Sequence, residues 1–356
     1  KEFSGVWIMA YTTIDDPSLY FQTLLYTGND TARALTNDGN SNLQPDWVWI
    51  KNRNTQTYNH KLFDSSRGAT KILNSDQSDA ESTTAQSLTA FSSDGFSVGT
   101  DAGVNKNAIN FAAWQWAANG GTTASNSDGG ITSTVQVNST AGFSIILYTG
   151  TGSTSSVGHG LGDTPDWILY KRRSGGTRDW MVYHQITGSK GMILNSTSAG
   201  DTASSIFGGN LPTSTTIPVG FATETNTNGE SHIAYAFAEK QGYSRFGTYQ
   251  GNGSSHGPFV YLGFKPAWLM YKRSSDTGNW RILDNRRNIH NIVDKELYAD
   301  SNSAEAEDDQ IDFFSNGFQL RNGSSVGQNG NNSTYIYMAF AESPFVSSEG
   351  VPTTAF

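Results

Sequence analysis

Short apolar runs, rich in aromatic and β-branched residues, recur along the chain and are fenced by Gly, Asn, Asp and Ser clusters. That is the pattern of β-strands rather than helices. Pro45-Asp46-Trp47-Val48-Trp49-Ile50-Lys51, Pro165-Asp166-Trp167-Ile168-Leu169-Tyr170-Lys171 and Pro266-Ala267-Trp268-Leu269-Met270-Tyr271-Lys272 are three versions of one segment. Their apolar residues are nearly continuous instead of alternating, which suits strands buried on both faces. Turn dipeptides such as Asp38-Gly39, Asp94-Gly95, Asn252-Gly253 and Asn316-Gly317 punctuate the runs.

The segments belong to a threefold internal repeat. Each copy opens near an aromatic-turn element: Leu25-Tyr26-Thr27-Gly28, Leu147-Tyr148-Thr149-Gly150, or Thr248-Tyr249-Gln250-Gly251. Each closes on an apolar strand ending near Trp116, Phe237 or Phe340. The prolines lie 120 and 101 residues apart, and the closing aromatics 121 and 103. Two independent anchors with matching offsets make chance similarity untenable.

The expected fold class is all-β: three tandem antiparallel β-sandwich domains built from a repeat of about 100 residues. The boundaries are an N-terminal extension over 1–18, repeat 1 over 19–118, a Gly/Ser/Thr linker over 119–142, repeat 2 over 143–240, repeat 3 over 241–346 and a tail over 347–356. One short strand is expected in the linker, around Ile131, Val135 and Val137. Repeats 2 and 3, joined through Lys240-Gln241-Gly242-Tyr243, should pack more rigidly than repeats 1 and 2. Helical stretches are expected to be few; Ala80–Leu88 and Ser303–Gln310 are the best candidates, as a short helix or turn ahead of the Gly-Phe strands at Gly95-Phe96 and Gly317-Phe318. Gly220-Phe221 reads as their counterpart in repeat 2. Met9 is a candidate initiator, with Lys1–Ile8 an upstream extension.

Composition removes several classes of function. The 356 residues contain no Cys, so thiolate catalysis, Cys zinc sites, disulfide scaffolds and iron–sulfur clusters are out. Net charge is −9 with Lys and Arg scattered, so no basic stripe invites nucleic acid. No apolar run approaches the length of a membrane-spanning helix. The 9 Trp, 15 Tyr and 19 Phe exclude a disordered chain.

Candidate chemistry is sparse. His60, His159, His184, His232, His256 and His290 show no metalloprotease spacing. His184 occupies the place of Asp64 and Asp284 in the other copies. Val157-Gly158-His159-Gly160-Leu161-Gly162 does not open a helix and so reads as a hairpin loop rather than a phosphate loop. Glu305-Ala306-Glu307-Asp308-Asp309 with Asp312 reads as a solvated acidic turn rather than a calcium loop. Asp163 with Asp166, or Asp15 with Asp16, are the carboxylate pairs a glycosidase would need. The repeated Trp residues are read as core rather than as sugar platforms. No catalytic or metal residue is assigned, no cofactor is implied, and ligand-binding residues are unassigned. Functional variation is expected in the loops Asn29–Asn42, Thr151–His159, Ser198–Pro218 and Gly251–Gly257.

Met9-Ala10-Tyr11-Thr12-Thr13-Ile14-Asp15-Asp16-Pro17, Gln44–Arg53, Leu62–Lys71, Phe246–Ser254 and Tyr335–Glu342 together resemble a family of repeat-containing proteins of marine and cyanobacterial tailed phages. The resemblance runs from about Met9 to the end. It implies a non-enzymatic virion structural protein, a tail fibre or surface appendage with a host-polysaccharide adhesion role. The alternatives are a capsid-decoration, cement or tail component without ligand, and, less favoured, an appendage depolymerase. The implied partners are other virion proteins and further copies of the chain, a homotrimer being preferred, together with host surface polysaccharide. No nucleic acid and no membrane insertion are implied. The implied location is the virion surface after assembly in the host cytoplasm.

Overall fold

The computed structural model describes residues 10–200, 204–323 and 325–352. Met9 and the upstream residues fall outside that range, as do the last four residues of the C-terminal tail. The protein is all-β, with 42% strand and 5% helix, and its named strand pairs are antiparallel. Among the described residues no helix is long and apolar enough to cross a membrane.

All three repeats build the same central sheet, in the order opening strand, closing strand, proline-led strand, return strand. In repeat 1 these are Phe21–Thr27, Asn110–Trp116, Trp47–Asn52 and Lys61–Asp64. In repeat 2 they are Phe143–Thr149, Ser231–Phe237, Trp167–Arg172 and Met181–His184. In repeat 3 they are Ser244–Gln250, Thr334–Pro344, Phe264–Arg273 and Arg281–Asp284. The register repeats too: Trp47 faces Trp116, Trp167 faces Phe237, and Trp268 faces Phe340.

Side chains alternate across these strands, and both faces are buried. One face packs inside its own repeat. Val48 and Ile50 meet Leu35, Phe96 and Val98 from a smaller sheet, forming a local core with Phe63 and Leu88. Repeats 2 and 3 have equivalent local cores around Ile168 and Tyr170, and around Leu269 and Tyr271. In repeat 3 the layers join into one eight-stranded sheet that curls until Tyr249, near one end, meets Phe318, near the other.

The opposite faces meet each other. Trp47, Trp49, Trp114 and Trp116 of repeat 1, Trp167, Trp180, Tyr235 and Phe237 of repeat 2, and Trp268, Trp280 and Phe340 of repeat 3 form one shared core. Ring centroids are 4.6 Å apart for Trp47 and Tyr235, 5.6 Å for Trp116 and Trp268, and 5.8 Å for Phe237 and Phe340. Every repeat therefore touches both others. At about 25 cal/mol per Å² and roughly 200 Å² per indole, each buried Trp contributes on the order of 5 kcal/mol of gross driving force.

Three local expectations are corrected. Ala80–Leu88 and Ser303–Gln310 are not helices: Ser82–Thr83, Leu88–Ser92 and Ala306–Phe314 are strands. Glu81 and Glu305 extend the chain there, because their N–H groups bond to the carbonyls of Arg173 and Arg53 in a neighbouring repeat. Among the described residues the α-helices, Ala102–Asn105, Thr223–Asn226 and Val326–Asn329, are single turns just ahead of each closing strand. Gly220-Phe221 is not the partner of Gly95-Phe96. Asn105 and Asn226, at the ends of equivalent turns, bond the carbonyls of Gly99 and Gly220, which aligns Gly220 with Gly99 and Ile217 with Phe96. Phe221 is consequently exposed.

The Gly/Ser/Thr stretch holds two strands rather than one, Ala124–Asn126 and Ser133–Asn138, which extend the central sheet of repeat 2. Its start is clamped by buried Asp46, which accepts the N–H groups of Ala118, Gly120 and Gly121 at 2.7, 2.9 and 2.8 Å.

Candidate functional site

Of the ionisable groups singled out in the sequence, Asp64, His184, Asp284 and Glu305 lie in the seams between repeats. At the seam of repeats 1 and 2, buried Asp64 accepts from Arg67 and, at 2.6 Å, from the Tyr235 hydroxyl. Arg67 also reaches Glu81, which holds Arg173 of repeat 2 at 2.8 Å. The seam of repeats 3 and 1 repeats the arrangement. Asp284 accepts from Arg287 at 2.6 Å and from Trp114 Nε1 at 3.0 Å, while Glu305 bridges Arg287 and Arg53. Burial would raise the Glu81 and Glu305 pKa values, but the arginines outweigh it and hold both below the ordinary range.

The seam of repeats 2 and 3 is built differently. His184 replaces the Asp and caps a turn through Nδ1, accepting from Ile186 N–H at 3.1 Å. Thr187 stands where Arg67 and Arg287 stand, and Met338 where Tyr235 and Trp114 stand. Burial lowers the His184 pKa to about 4. The four-residue connection does join these repeats most directly, but the ion network lies at the other two seams.

One device is common to all three seams. Lys51, Lys171 and Lys272, each next to last in a proline-led strand, are fully buried in cages of backbone carbonyls. Lys51 donates to Asn302 of repeat 3 at 3.2 Å, Lys171 to Ser78 of repeat 1 at 2.9 Å, and Lys272 to Thr197 of repeat 2 at 3.0 Å. Burial brings all three down to about 8. The sequence showed the lysines as strand ends; nothing local marks a lysine that plugs a neighbour.

The other singled-out groups are dispersed. His60 accepts from Trp49 Nε1 at 2.8 Å, and burial holds its pKa well below the ordinary value. His159 lies between Leu161 N–H and the Thr213 carbonyl. His232 stacks on Tyr148 with centroids 5.1 Å apart, and burial lowers it to about 4. His256 and His290 are exposed. Asp163 is an exposed partner of Lys240, whereas Asp166 accepts Glu239 N–H at 2.7 Å and is raised by burial to about 6. Asp15 is tied to Ser348 and Asp16 to Ser18 and Ser41. The acidic segment is not a solvated turn as a whole: Glu305 is locked between two arginines, and Asp312 pairs with Arg321 at 2.5 Å. Among the described residues no three His, Asp or Glu side chains could hold a metal ion.

An open groove lies at the surface of the seam between repeats 3 and 1. Two adjoining hollows, of about 180 and 410 Å³, share Asn285, Arg286 and Glu342 as lining residues. Asp38 and Asn40 enter from repeat 1, within the expected variable loop Asn29–Asn42, while Lys265 and His290 enter from repeat 3. Arg286 pairs with Asp38, Lys265 with Glu342 at 2.9 Å, and Asn285 donates to Glu342 at 2.8 Å. The loop over this groove is an insertion. Leu297, opposite Ile282, follows Asp284 by 13 positions; Leu73, opposite Leu62, follows Asp64 by nine. Asn288 and Asn291 fasten it to Asp294 and Phe313, leaving Ile289 76% exposed at its tip. The expected variable loops did not include this segment. Comparing the spacing of the three copies reveals it.

These features define a class: an all-β protein whose three repeats close around one aromatic core. The chain belongs to the family of the DUF7483 domain, a domain of unknown function, whose profile matches residues 16–344. That match takes in all three repeats together. No curated protein and no solved structure matches the chain.

Proposed function

We propose that this protein is a virion appendage component of a tailed phage, a rigid carrier that presents a groove for adhesion to host surface polysaccharide. The phage assignment rests on the resemblance described above. The adhesion reading rests on the seam groove: an ordered, open cleft walled by amide, carboxylate and guanidinium groups, overhung by a loop that only repeat 3 carries in long form. Side chains of this kind bond sugar hydroxyls in pairs, and multivalent display on a particle would raise weak affinity through avidity. In this reading each repeat is a small two-layer β-sandwich and the three act as one body. Contacts that pass from repeat 1 to 2, 2 to 3 and 3 to 1 supply threefold repetition within one chain, so the proposal does not require a homotrimer.

Antibody labelling of phage particles tests the assignment. Label at tail or fibre tips is expected; label spread over the capsid lattice favours a cementing role, and unlabelled particles overturn the reading. Incubation with host polysaccharide is expected to give retention on the polymer with chain length unchanged. Shortened chains would make the protein a depolymerase.

A further inference from the structure

We infer that the seam groove selects an uncharged, polyhydroxylated chain, a neutral polysaccharide, and not a uronate or sulfated one. The inference rests on the adhesion reading and deepens it. The charges facing the groove cancel locally. Arg286 is paired with Asp38, and Lys265 with Glu342. An anionic polymer would lie against the carboxylate that accompanies each cation; a neutral sugar meets no such repulsion. The carboxylate oxygens have more lone pairs than these partners use, so Asp38 and Glu342 can each accept from sugar hydroxyls. Asn40 and Asn285 contribute amides that both donate and accept.

The shape agrees with this chemistry. The two hollows adjoin at Asn285, Arg286 and Glu342, and two neighbouring hollows suit successive units of a chain rather than a single small solute. Ile289, at the tip of the inserted loop, offers an apolar surface for the C–H face of a pyranose ring. The loop is held by the paired bonds between Asn291 and Phe313, both 2.9 Å, so this surface is presented in a fixed position. Pre-organisation of that kind lowers the entropic cost of binding.

Binding of the intact chain to immobilised dextran and mannan, and to polygalacturonate and alginate, tests the inference at low and high salt. The neutral polymers should bind, with affinity changing less than twofold between the two salt concentrations, because no counterions are released. Asn40→Ala and Glu342→Gln should each weaken that binding at least fivefold. Unchanged circular dichroism and thermal midpoint would show that each variant folds. His256→Ala, on an exposed loop outside the groove, should bind as the parent does. Salt-sensitive binding to the uronate polymers alone would overturn the neutral-ligand inference and leave adhesion standing. Neutral binding that survives both groove variants would overturn the groove assignment. Failure to bind these four polymers and the host's own polysaccharide would overturn the adhesion reading itself.

Discussion

Two seams of this molecule are locked by the same side-chain set, and the third is not. Where repeats 1 and 2 meet, and where repeats 3 and 1 meet, a buried Asp–Arg pair is extended by a Glu and a second Arg, and an aromatic donor crosses to the Asp. Where repeats 2 and 3 meet, His184, Thr187 and Met338 occupy the positions of Asp, Arg and aromatic donor. The locked seams join elements that are covalently remote. Repeats 1 and 2 are separated by the long stretch over 119–142, and repeats 3 and 1 have no direct connection. Repeats 2 and 3 are joined by four residues, which hold them at high effective concentration. The side-chain lock is thus concentrated where the chain itself supplies least.

The comparison can be broken most sharply at the aspartates. Asp64→Ala or Asp284→Ala leaves a fully buried arginine short of its closest counter-charge, and each should cost about 3–5 kcal/mol in urea unfolding. His184→Ala at the same place in repeat 2 should cost only about 1–2 kcal/mol, since it removes a turn cap and some packing. Equal losses at all three positions would erase the distinction. A smaller effect is expected from the aromatic donors. Tyr235→Phe removes one hydrogen bond to a charged group and should cost about 1.5–3 kcal/mol. Met338→Leu, a swap of similar volume, should cost less than about 1.5 kcal/mol.

The smallest effect concerns pH. The His184 pKa is about 4 in the folded protein, below its ordinary 6.5. The unfolded chain therefore takes up the proton first, and stability falls as pH drops from 6.5 toward 4. His184→Gln should flatten this fall by roughly 1–2 kcal/mol between pH 7 and pH 5, while His232 continues to contribute in the same direction. An unaltered pH profile in the variant would show that His184 is not held neutral by the seam.

The repeat, its strand character and the double-sided burial of the proline-led strands were all legible in residue pattern. Trp47-Val48-Trp49-Ile50 reads as apolar on both faces, and both faces are buried. What it cannot say is that one face meets the other repeats, because that depends on contacts such as Arg53 with Glu305, 252 residues apart. The helices expected at Ala80–Leu88 and Ser303–Gln310 failed for the same reason: local propensity yielded to bonds from a neighbouring repeat. His60 shows the converse. It stands where Trp180 and Trp280 stand in the other copies, and Trp49 supplies an extra indole beside it, a compensation visible only once the three strands are superposed. Of the candidate groove, Asp38 and Asn40 fell within an expected variable loop, whereas Asn285, Arg286 and Ile289 came to notice through the longer loop of repeat 3.

Calorimetric unfolding of the intact chain tests most directly whether the three repeats form one body. A shared Trp core and a closed ring of seams predict a single transition whose van't Hoff and calorimetric enthalpies agree. Separate transitions, or a calorimetric enthalpy close to three times the van't Hoff value, would mean three sandwiches that fold independently, and would contradict the account.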